Sequence, residues 1–398
     1  MYVHDLDCSW IQHPFTVNQF KLTKQSQIHE IKKSRIHEFY IDTEKGIDVG
    51  KIAVAKDIAV GDSGGHDVSK LPLLDTIKES KTKPLADELA RATKVKREAT
   101  QAVSNLMENA RLGKLIALDH IAPVIENIVF SALGNKDALL GLTRIRKLDK
   151  YTFEHAVASS VLLVAFGESL ALSEDELIQI GIGGLLMDIG KSRIPPKILT
   201  KPGKLTDDEF AIMRKHVLYS EAILKKTPDV SEIVIKVATE HHERFDGTGY
   251  PAGKKDKNIS LYGQMAAIVD VYDALTVNRV YCPGISPNAA LKKLVALGKQ
   301  FNQELVQQFI HCVGIYPIGS LVALSTGLFA VVIECGDKGL LYPVIRIVFD
   351  STKRQFVTPQ DINLSDQRGK EIVKIVGAVE PDKWRIKPAD FLEHSKYC

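Results

Sequence analysis

The sequence has little that would mark a secreted, membrane-spanning or nucleic-acid-binding protein. Its five cysteines are scattered without a Cys-x-x-Cys pair, which argues against a disulfide framework or a cysteine zinc site. The 52 Lys and Arg residues nearly balance 49 Asp and Glu, and no basic run stands out. The longest apolar run, 156–172, contains Glu168 and is short for a membrane span. Asp5 and Asp7 lie where a signal peptide would need apolar residues. We therefore expect a cytoplasmic protein with neither nucleic acid nor membrane as partner.

The length and composition indicate a globular chain of more than one domain. The chain has 398 residues, of which 45% are hydrophobic and 25% are charged. Single cores stop growing at roughly 250–300 residues, so this chain is expected to divide. The residue patterns predict an α+β fold with five parts: an N-terminal α/β module (1–60), a linker (61–84), connecting helices (85–145), a helical domain (146–316) and a β-rich C-terminal extension (317–398).

Local signals support these assignments. Ser173 and Thr206 are each followed three residues later by Glu, the capping-box pattern that starts a helix. The segments 39–42, 51–56, 329–334 and 344–349 are rich in strand-forming residues, and a helix is expected near 24–34. The glycine-rich segment 246–251 predicts a turn after a helix, and another helix is expected to run from Thr206 to His216.

Six side chains of the helical part form the candidate site. Intervals of 33, 28, 25 and 28 residues separate successive members, each about one helix plus a return connection, and the set is His155, Asp188, His216, the pair His241 and His242, and Asp270. A helical bundle can bring such residues to one interior point. Imidazole and carboxylate ligands suit Fe, Mn or Zn, and a metal pair activates water and stabilises phosphoryl charge. The residue types alone predict a metal site and leave its reaction open.

Four motifs resemble those of the HD-GYP family of bacterial cyclic di-GMP phosphodiesterases. They are His241-His-Glu-Arg-Phe-Asp-Gly-Thr-Gly-Tyr-Pro251, Asp188-Ile-Gly-Lys191, Lys201-Pro-Gly-Lys-Leu-Thr206 and Asp270-Val-Tyr-Asp-Ala-Leu-Thr276. Residues 1–55, notably Met1-Tyr-Val-His-Asp-Leu-Asp7, resemble the N-terminal domain of unknown function often fused to that family. Related domains usually have a short segment before this point, so the natural start is expected upstream of Met1. The resemblance implies a mainly α-helical HD-type metallohydrolase bundle.

The resemblance also implies a role for each matching residue. Asp188 would bridge two metal ions and act in catalysis, with His216, His241 and His242 on one metal and His155 and Asp270 on the other. Lys191 would hold a phosphate oxygen during catalysis, although a cation there could also simply stabilise a helix end. Arg279 would bind the phosphate or guanine of the substrate. Fe or Mn is the expected metal, with Zn as an alternative. Tyr151 occupies the position where some relatives carry an acidic ligand, so two metals are the expected maximum.

Two positions depart from the family pattern. Met187 stands where the histidine that gives the family its name precedes the aspartate, and a thioether is a poor ligand for Fe(II), Mn(II) or Zn(II). We interpret it as a lost ligand, which weakens the metal position of His155 and Asp270. Cys282 replaces a residue that is often basic, which removes a phosphate contact.

The leading functional hypothesis is a metal-dependent phosphodiesterase that hydrolyses cyclic di-GMP to linear pGpG, with onward hydrolysis to GMP left open. One alternative is a catalytically weak receptor or protein-interaction module, which Met187 and Cys282 favour. Another is a cyclic GMP-AMP phosphodiesterase, since the same motifs would serve it. The loop ending in Tyr250 and Pro251 is a proposed contact for signalling proteins, or purely structural. The sequence also leaves open a homodimer.

Overall fold

The computed structural model describes residues 85–114, 116–143, 151–277, 284–335, 341–366 and 372–392, and three short strands near the N-terminus. The chain divides into two compact units, 1–73 and 74–398. In the first unit the strands β1 (Tyr2–Asp5), β2 (Phe20–Lys21) and β3 (Tyr40–Ile41) form an antiparallel sheet in the order β2-β1-β3. The strand expected at 39–42 is thus present at 40–41. The helix expected near 24–34, the strand at 51–56 and the linker lie outside the described residues.

The second unit begins with a bundle of helices. Its helices are α1 (Leu85–Arg111), α2 (Ala122–Leu142), α3 (Tyr151–Ser169), α4 (Glu174–Leu186), α5 (Pro196–Leu199), α6 (Asp207–Arg214), α7 (His216–Leu224), α8 (Glu232–Glu240), α9 (Leu261–Thr276), α10 (Pro287–Ala296) and α11 (Gln303–Val313). The central helix is α3, which is buried continuously from Glu154 to Gly167 because α2, α4 and α9 pack around it. A helix enclosed in this way is apolar on all sides, which explains the long apolar run of the sequence.

Both predicted capping boxes are present, but one helix boundary was predicted wrongly. The Ser173 hydroxyl accepts a hydrogen bond from the Glu176 N–H, and the Ser173 N–H donates to the Glu176 side chain in return. Thr206 and Glu209 form the same pair of bonds. The helix starting after Thr206 does not continue to His216. It ends at Arg214 because the Lys215 N–H bonds to the Ile212 carbonyl (3.1 Å), which tightens the last turn, and His216 begins a new helix.

The β-rich extension that the sequence predicts follows the bundle, and it forms a five-stranded antiparallel sheet. Its strands are β4 (Leu321–Leu324), β5 (Leu328–Glu334), β6 (Val344–Asp350), β7 (Gln355–Asn363) and β8 (Ile375–Ala378), in the order β7-β6-β5-β4-β8. The central strands β5 and β6 are buried on both faces, which accounts for their continuous apolar sequences. A short helix α12 (Pro381–Trp384) places Trp384 against Phe329 and Phe349. The predicted fold class is therefore confirmed, whereas the exact domain boundaries stay predictions. No helix among the described residues has the length and hydropathy to span a bilayer.

Candidate metal centre

Three segments of the bundle bring four side chains to one point. Asp188 lies two residues after the end of α4, His216 is the first residue of α7, and His241 and His242 come directly after α8. One ligand atom from each of the four lies within 4.8 Å of the others. Asp188, His216 and His241 are buried, and His242 is partly buried. Carboxylate and imidazole ligands at this spacing define a candidate site for a divalent metal.

Two histidines are fixed so that Nε2 is the free ligand atom. His216 Nδ1 donates to the Met213 carbonyl at 2.7 Å, and His241 Nδ1 donates to the Ala238 carbonyl at 2.9 Å. A carbonyl accepts but cannot donate, so Nδ1 carries a proton and, in the neutral imidazole, Nε2 carries the lone pair. Within the described part of the chain, both Nε2 atoms and Asp188 Oδ1 are buried without a hydrogen-bond partner. Three buried acceptors facing one another fit a cation and are costly without one.

The protonation states of the cluster also suit a metal. Burial lowers the pKa of His241 to about 4, and burial together with His241 holds the pKa of His242 well below its usual range. Burial opposes the ionisation of Asp188, but the adjacent Lys191 ammonium outweighs it and holds the pKa of Asp188 well below the ordinary value. Near neutral pH the imidazoles of His241 and His242 are therefore neutral and the carboxylate is ionised, as metal coordination requires.

His155 and Asp270 lie on the other side of Asp188. His155 Nε2 is 3.3 Å from Asp270 Oδ1 and 3.6 Å from Asp188 Oδ2, and His242 Nδ1 is 3.5 Å from Asp270 Oδ2. Burial opposes protonation of His155, but hydrogen bonds to Asp270 and Asp273 outweigh it and raise its pKa to about 9. A divalent cation at this position would replace that proton. All six side chains singled out from the sequence thus meet in one place, while their roles stay predictions.

The structure also describes two further positions of the predicted site, Lys191 and Met187. Lys191 Nζ lies 2.5 Å from Asp188 Oδ2 and its side chain is 22% exposed. Met187 is fully buried at the end of α4, and its carbonyl accepts a hydrogen bond from Ser220 Oγ at 2.8 Å. Arg279 and Cys282 lie outside the described residues.

Sequence reasoning missed the side chain that orients His155. Asp273 is buried on α9, three residues after Asp270, and its Oδ2 lies 2.7 Å from His155 Nδ1. This contact directs Nε2 of His155 toward Asp270 and Asp188, in a carboxylate–histidine arrangement common at metal sites. The spacing of three, which places both aspartates on one helix face, was the available signal.

We expect Asp273→Ala to weaken metal binding at the His155 position by about 10–100-fold, because the imidazole loses its orienting partner. Asp273→Asn should retain most of the affinity, since the amide oxygen can still accept the His155 Nδ1 hydrogen bond. Titration against a competing chelator measures the metal affinity of both variants. Equal affinity for Asp273→Ala and wild type would contradict the orienting role.

Two further missed carboxylates hold the glycine-rich loop. Glu243 is buried and accepts hydrogen bonds from the backbone N–H groups of Ala252 (2.8 Å) and Lys254 (3.0 Å). Glu240 is buried and contacts Lys254 Nζ at 2.5 Å and Ser260 Oγ at 2.6 Å. Both flank the histidine pair, so the loop is tied to the segment that carries two candidate ligands. Buried carboxylates need hydrogen-bond donors of this kind, because burying an unpaired charge would cost folding free energy.

A glycine sets the distance between the Asp188 and His216 segments. The Gly190 N–H donates to Ser220 Oγ at 2.9 Å, and a Cβ at position 190 would collide with the backbone of His216 and Ser220. Ser220 Oγ in turn donates to the Met187 carbonyl. The close approach of these two backbones therefore requires glycine.

Gly190→Ala is expected to lower the free energy of unfolding by about 3 kcal/mol or to displace His216, because the clash is with backbone rather than a flexible side chain. Gly377→Ala is the matched control, since a Cβ there meets nothing within 4 Å. Urea denaturation and metal content measure the two effects. A Gly190→Ala protein with wild-type stability and metal content would refute the packing argument.

Comparison with known proteins assigns the chain to a family. It matches the HD domain over residues 132–305, the domain of unknown function DUF3391 over 1–121 and the KOW domain associated with HD domain over 321–383. Cyclic di-GMP phosphodiesterase PA4108 of Pseudomonas aeruginosa is 34% identical over 392 residues, which cover 98% of this chain and 92% of that protein. The helical fold and the His/Asp cluster define an HD-type phosphohydrolase. The chain belongs to the HD-domain family, with DUF3391 at its N-terminus.

One further relative and one solved structure match only part of the chain. The 3'3'-cGAMP-specific phosphodiesterase 2 of Vibrio cholerae is 38% identical over 142 residues, which cover 35% of this chain and 27% of that protein. The solved structure of Bd1817, a HDG"Y"P protein from Bdellovibrio bacteriovorus, aligns with a TM-score of 0.48 and 19% identity, covering 59% of this chain and 73% of that one.

Proposed function

We propose that the protein is a metal-dependent phosphodiesterase that hydrolyses cyclic di-GMP to linear pGpG. The observation that carries the proposal is the convergence of three imidazoles and one aspartate, among which three buried side-chain atoms without a hydrogen-bond partner face one another. The substrate is inferred from the Pseudomonas aeruginosa relative, which matches nearly the whole chain and bears that activity in its name. An HD fold without such a cluster would not support a hydrolase.

The six side chains divide into two sets around Asp188. Asp188, His216, His241 and His242 would hold one divalent ion, and Asp188, His155 and Asp270 would hold a second, with Fe or Mn expected and Zn as the alternative. When bound, such a pair supplies an activated water and stabilises negative charge on a phosphoryl group. Asp188 contributes to both sets, so it is the residue on which the site depends most.

Lys191 is the cation best placed to bind the substrate phosphate. Its ammonium already neutralises Asp188, and its side chain reaches partly into solvent. It can therefore donate to a phosphate oxygen while keeping the Asp188 carboxylate ionised. We assign Arg279 to binding of the phosphate or guanine on the resemblance of its motif.

Two alternatives each have a specific observation in their favour. Met187 supplies no imidazole at the position next to Asp188, which favours a nucleotide receptor or an interaction module of low activity. The partial match to a cGAMP-specific phosphodiesterase favours that mixed cyclic dinucleotide as substrate.

A hydrolysis assay tests these functions against one another. Protein prepared without oxygen and loaded with Fe(II) or Mn(II) is incubated with cyclic di-GMP or with 3'3'-cGAMP, and the products are separated by chromatography. We expect pGpG from cyclic di-GMP at a higher rate than product from cGAMP. Faster hydrolysis of cGAMP would identify cGAMP as the preferred substrate, and absence of both products would favour the receptor.

A further inference from the structure

We propose that Phe210 and Arg214 form a stacking platform for a purine base of the dinucleotide, a specificity element beside the metal centre. This inference rests on the proposed function for the identity of the nucleotide. Both residues lie on α6, the helix that ends just before His216. Neither belongs to the six candidate ligands.

A chain of ring contacts connects the platform to the metal centre. The Tyr250 ring lies 4.7 Å from the His242 ring at an angle of 32°, and the Phe210 ring meets Tyr250 edge-on with centroids 6.3 Å apart. Only one ring, Tyr250, therefore separates Phe210 from a candidate ligand. A base resting on Phe210 would therefore lie two ring contacts away from the candidate ligand His242.

The platform is open on one side and charged on the other. Phe210 is 39% exposed, although burying a phenylalanine side chain is favourable in free energy. The Arg214 guanidinium lies 4.5 Å from the Phe210 centroid and 5.1 Å from that of Tyr250. Arg214 takes part in none of the ion pairs found among the described residues, so its positive charge is not neutralised locally.

An exposed aromatic ring beside an unneutralised guanidinium is suited to binding a nucleotide. Aromatic rings and guanidinium planes stack on bases, and a guanidinium also donates to phosphate oxygens or to the O6 and N7 edge of guanine. Lys191, which contacts Asp188 Oδ2, supplies a second cation at the metal centre. A dianionic cyclic dinucleotide would meet an aromatic face and two positive charges at once.

The chain offers a matched control on another helix. Phe130 on α2 is 52% exposed and the Arg91 guanidinium lies 4.0 Å from its ring centroid. The pair repeats the exposed phenylalanine and its covering arginine on a helix that carries none of the six candidate ligands. A general effect of removing a surface ring should therefore be the same at Phe210 and Phe130.

The test measures binding of a phosphorothioate analogue of cyclic di-GMP, which resists hydrolysis, to the full metal-loaded chain. We expect Phe210→Ala and Phe210→Leu to raise the Kd by about tenfold, Phe210→Trp to restore it, and Phe130→Ala to leave it unchanged. Arg214→Gln should weaken binding and reduce its dependence on salt. With cyclic di-GMP as substrate, the loss should fall on KM rather than kcat, at unchanged metal content.

The possible results separate this inference from the proposed function. If wild type hydrolyses cyclic di-GMP and Phe210→Leu binds the analogue as well as wild type, the platform is wrong and the phosphodiesterase stands. If wild type binds without hydrolysis and Phe210→Leu binds less tightly, the platform stands and the phosphodiesterase is wrong. If wild type binds no analogue at all, both are wrong.

Discussion

Asp188→Ala is expected to remove both the bound metal and the phosphodiesterase activity, with a loss of at least about 100-fold in kcat/KM. Asp188 lies within 3.3–3.8 Å of His155, His216 and His241, so one substitution removes the shared carboxylate of both ligand sets. It also leaves Lys191 without the carboxylate that it contacts at 2.5 Å. Metal analysis by plasma mass spectrometry and the cyclic di-GMP assay measure the two losses.

The control for this experiment is an aspartate outside the cluster. Asp208 is exposed in the first turn of α6, and Asp208→Ala should keep full metal content and activity. Melting temperatures of the two variants distinguish a lost ligand from a lost fold. An Asp188→Ala protein that still binds metal and hydrolyses the substrate would remove the basis of the proposed function.

Met187→His is expected to strengthen metal binding by about 10–100-fold and to raise activity, because it adds an imidazole next to Asp188. Met187 is completely buried at the end of α4, where its backbone carbonyl is already held by Ser220. The change therefore alters the chemistry of one buried side chain on a segment whose backbone is fixed. Metal stoichiometry by plasma mass spectrometry and affinity by chelator competition measure the gain.

Met187→Leu separates packing from coordination. Leucine preserves apolar volume but has no sulfur, so metal affinity should equal that of wild type if the thioether is not a ligand. A marked loss of metal in Met187→Leu would show that the sulfur coordinates after all. If Met187→His gains activity from an inactive wild type, the natural protein is a receptor built on a hydrolase scaffold.

Local sequence determined the helix starts, the strands and the ligand types. Ser173 and Thr206 begin their helices because the bonds that cap them join residues three apart. Strands β5 and β6 could be predicted from the sequence because a strand buried on both faces is apolar throughout. The spacing of His155, Asp188 and Asp270 indicated a shared interior point, since each interval allows one helix and its return.

Tertiary structure decided the details that make those side chains a site. His155 meets Asp273 across 118 residues, and Gly190 meets Ser220 across 30, separations at which no local pattern predicts a contact. The free Nε2 of His216 depends on where the Met213 carbonyl points after the helix ends early. Likewise, Phe210 and Arg214 look like ordinary helix surface until Tyr250 is placed beside them. Residue types can be read along the chain, but distances and protonation states depend on which segments pack together.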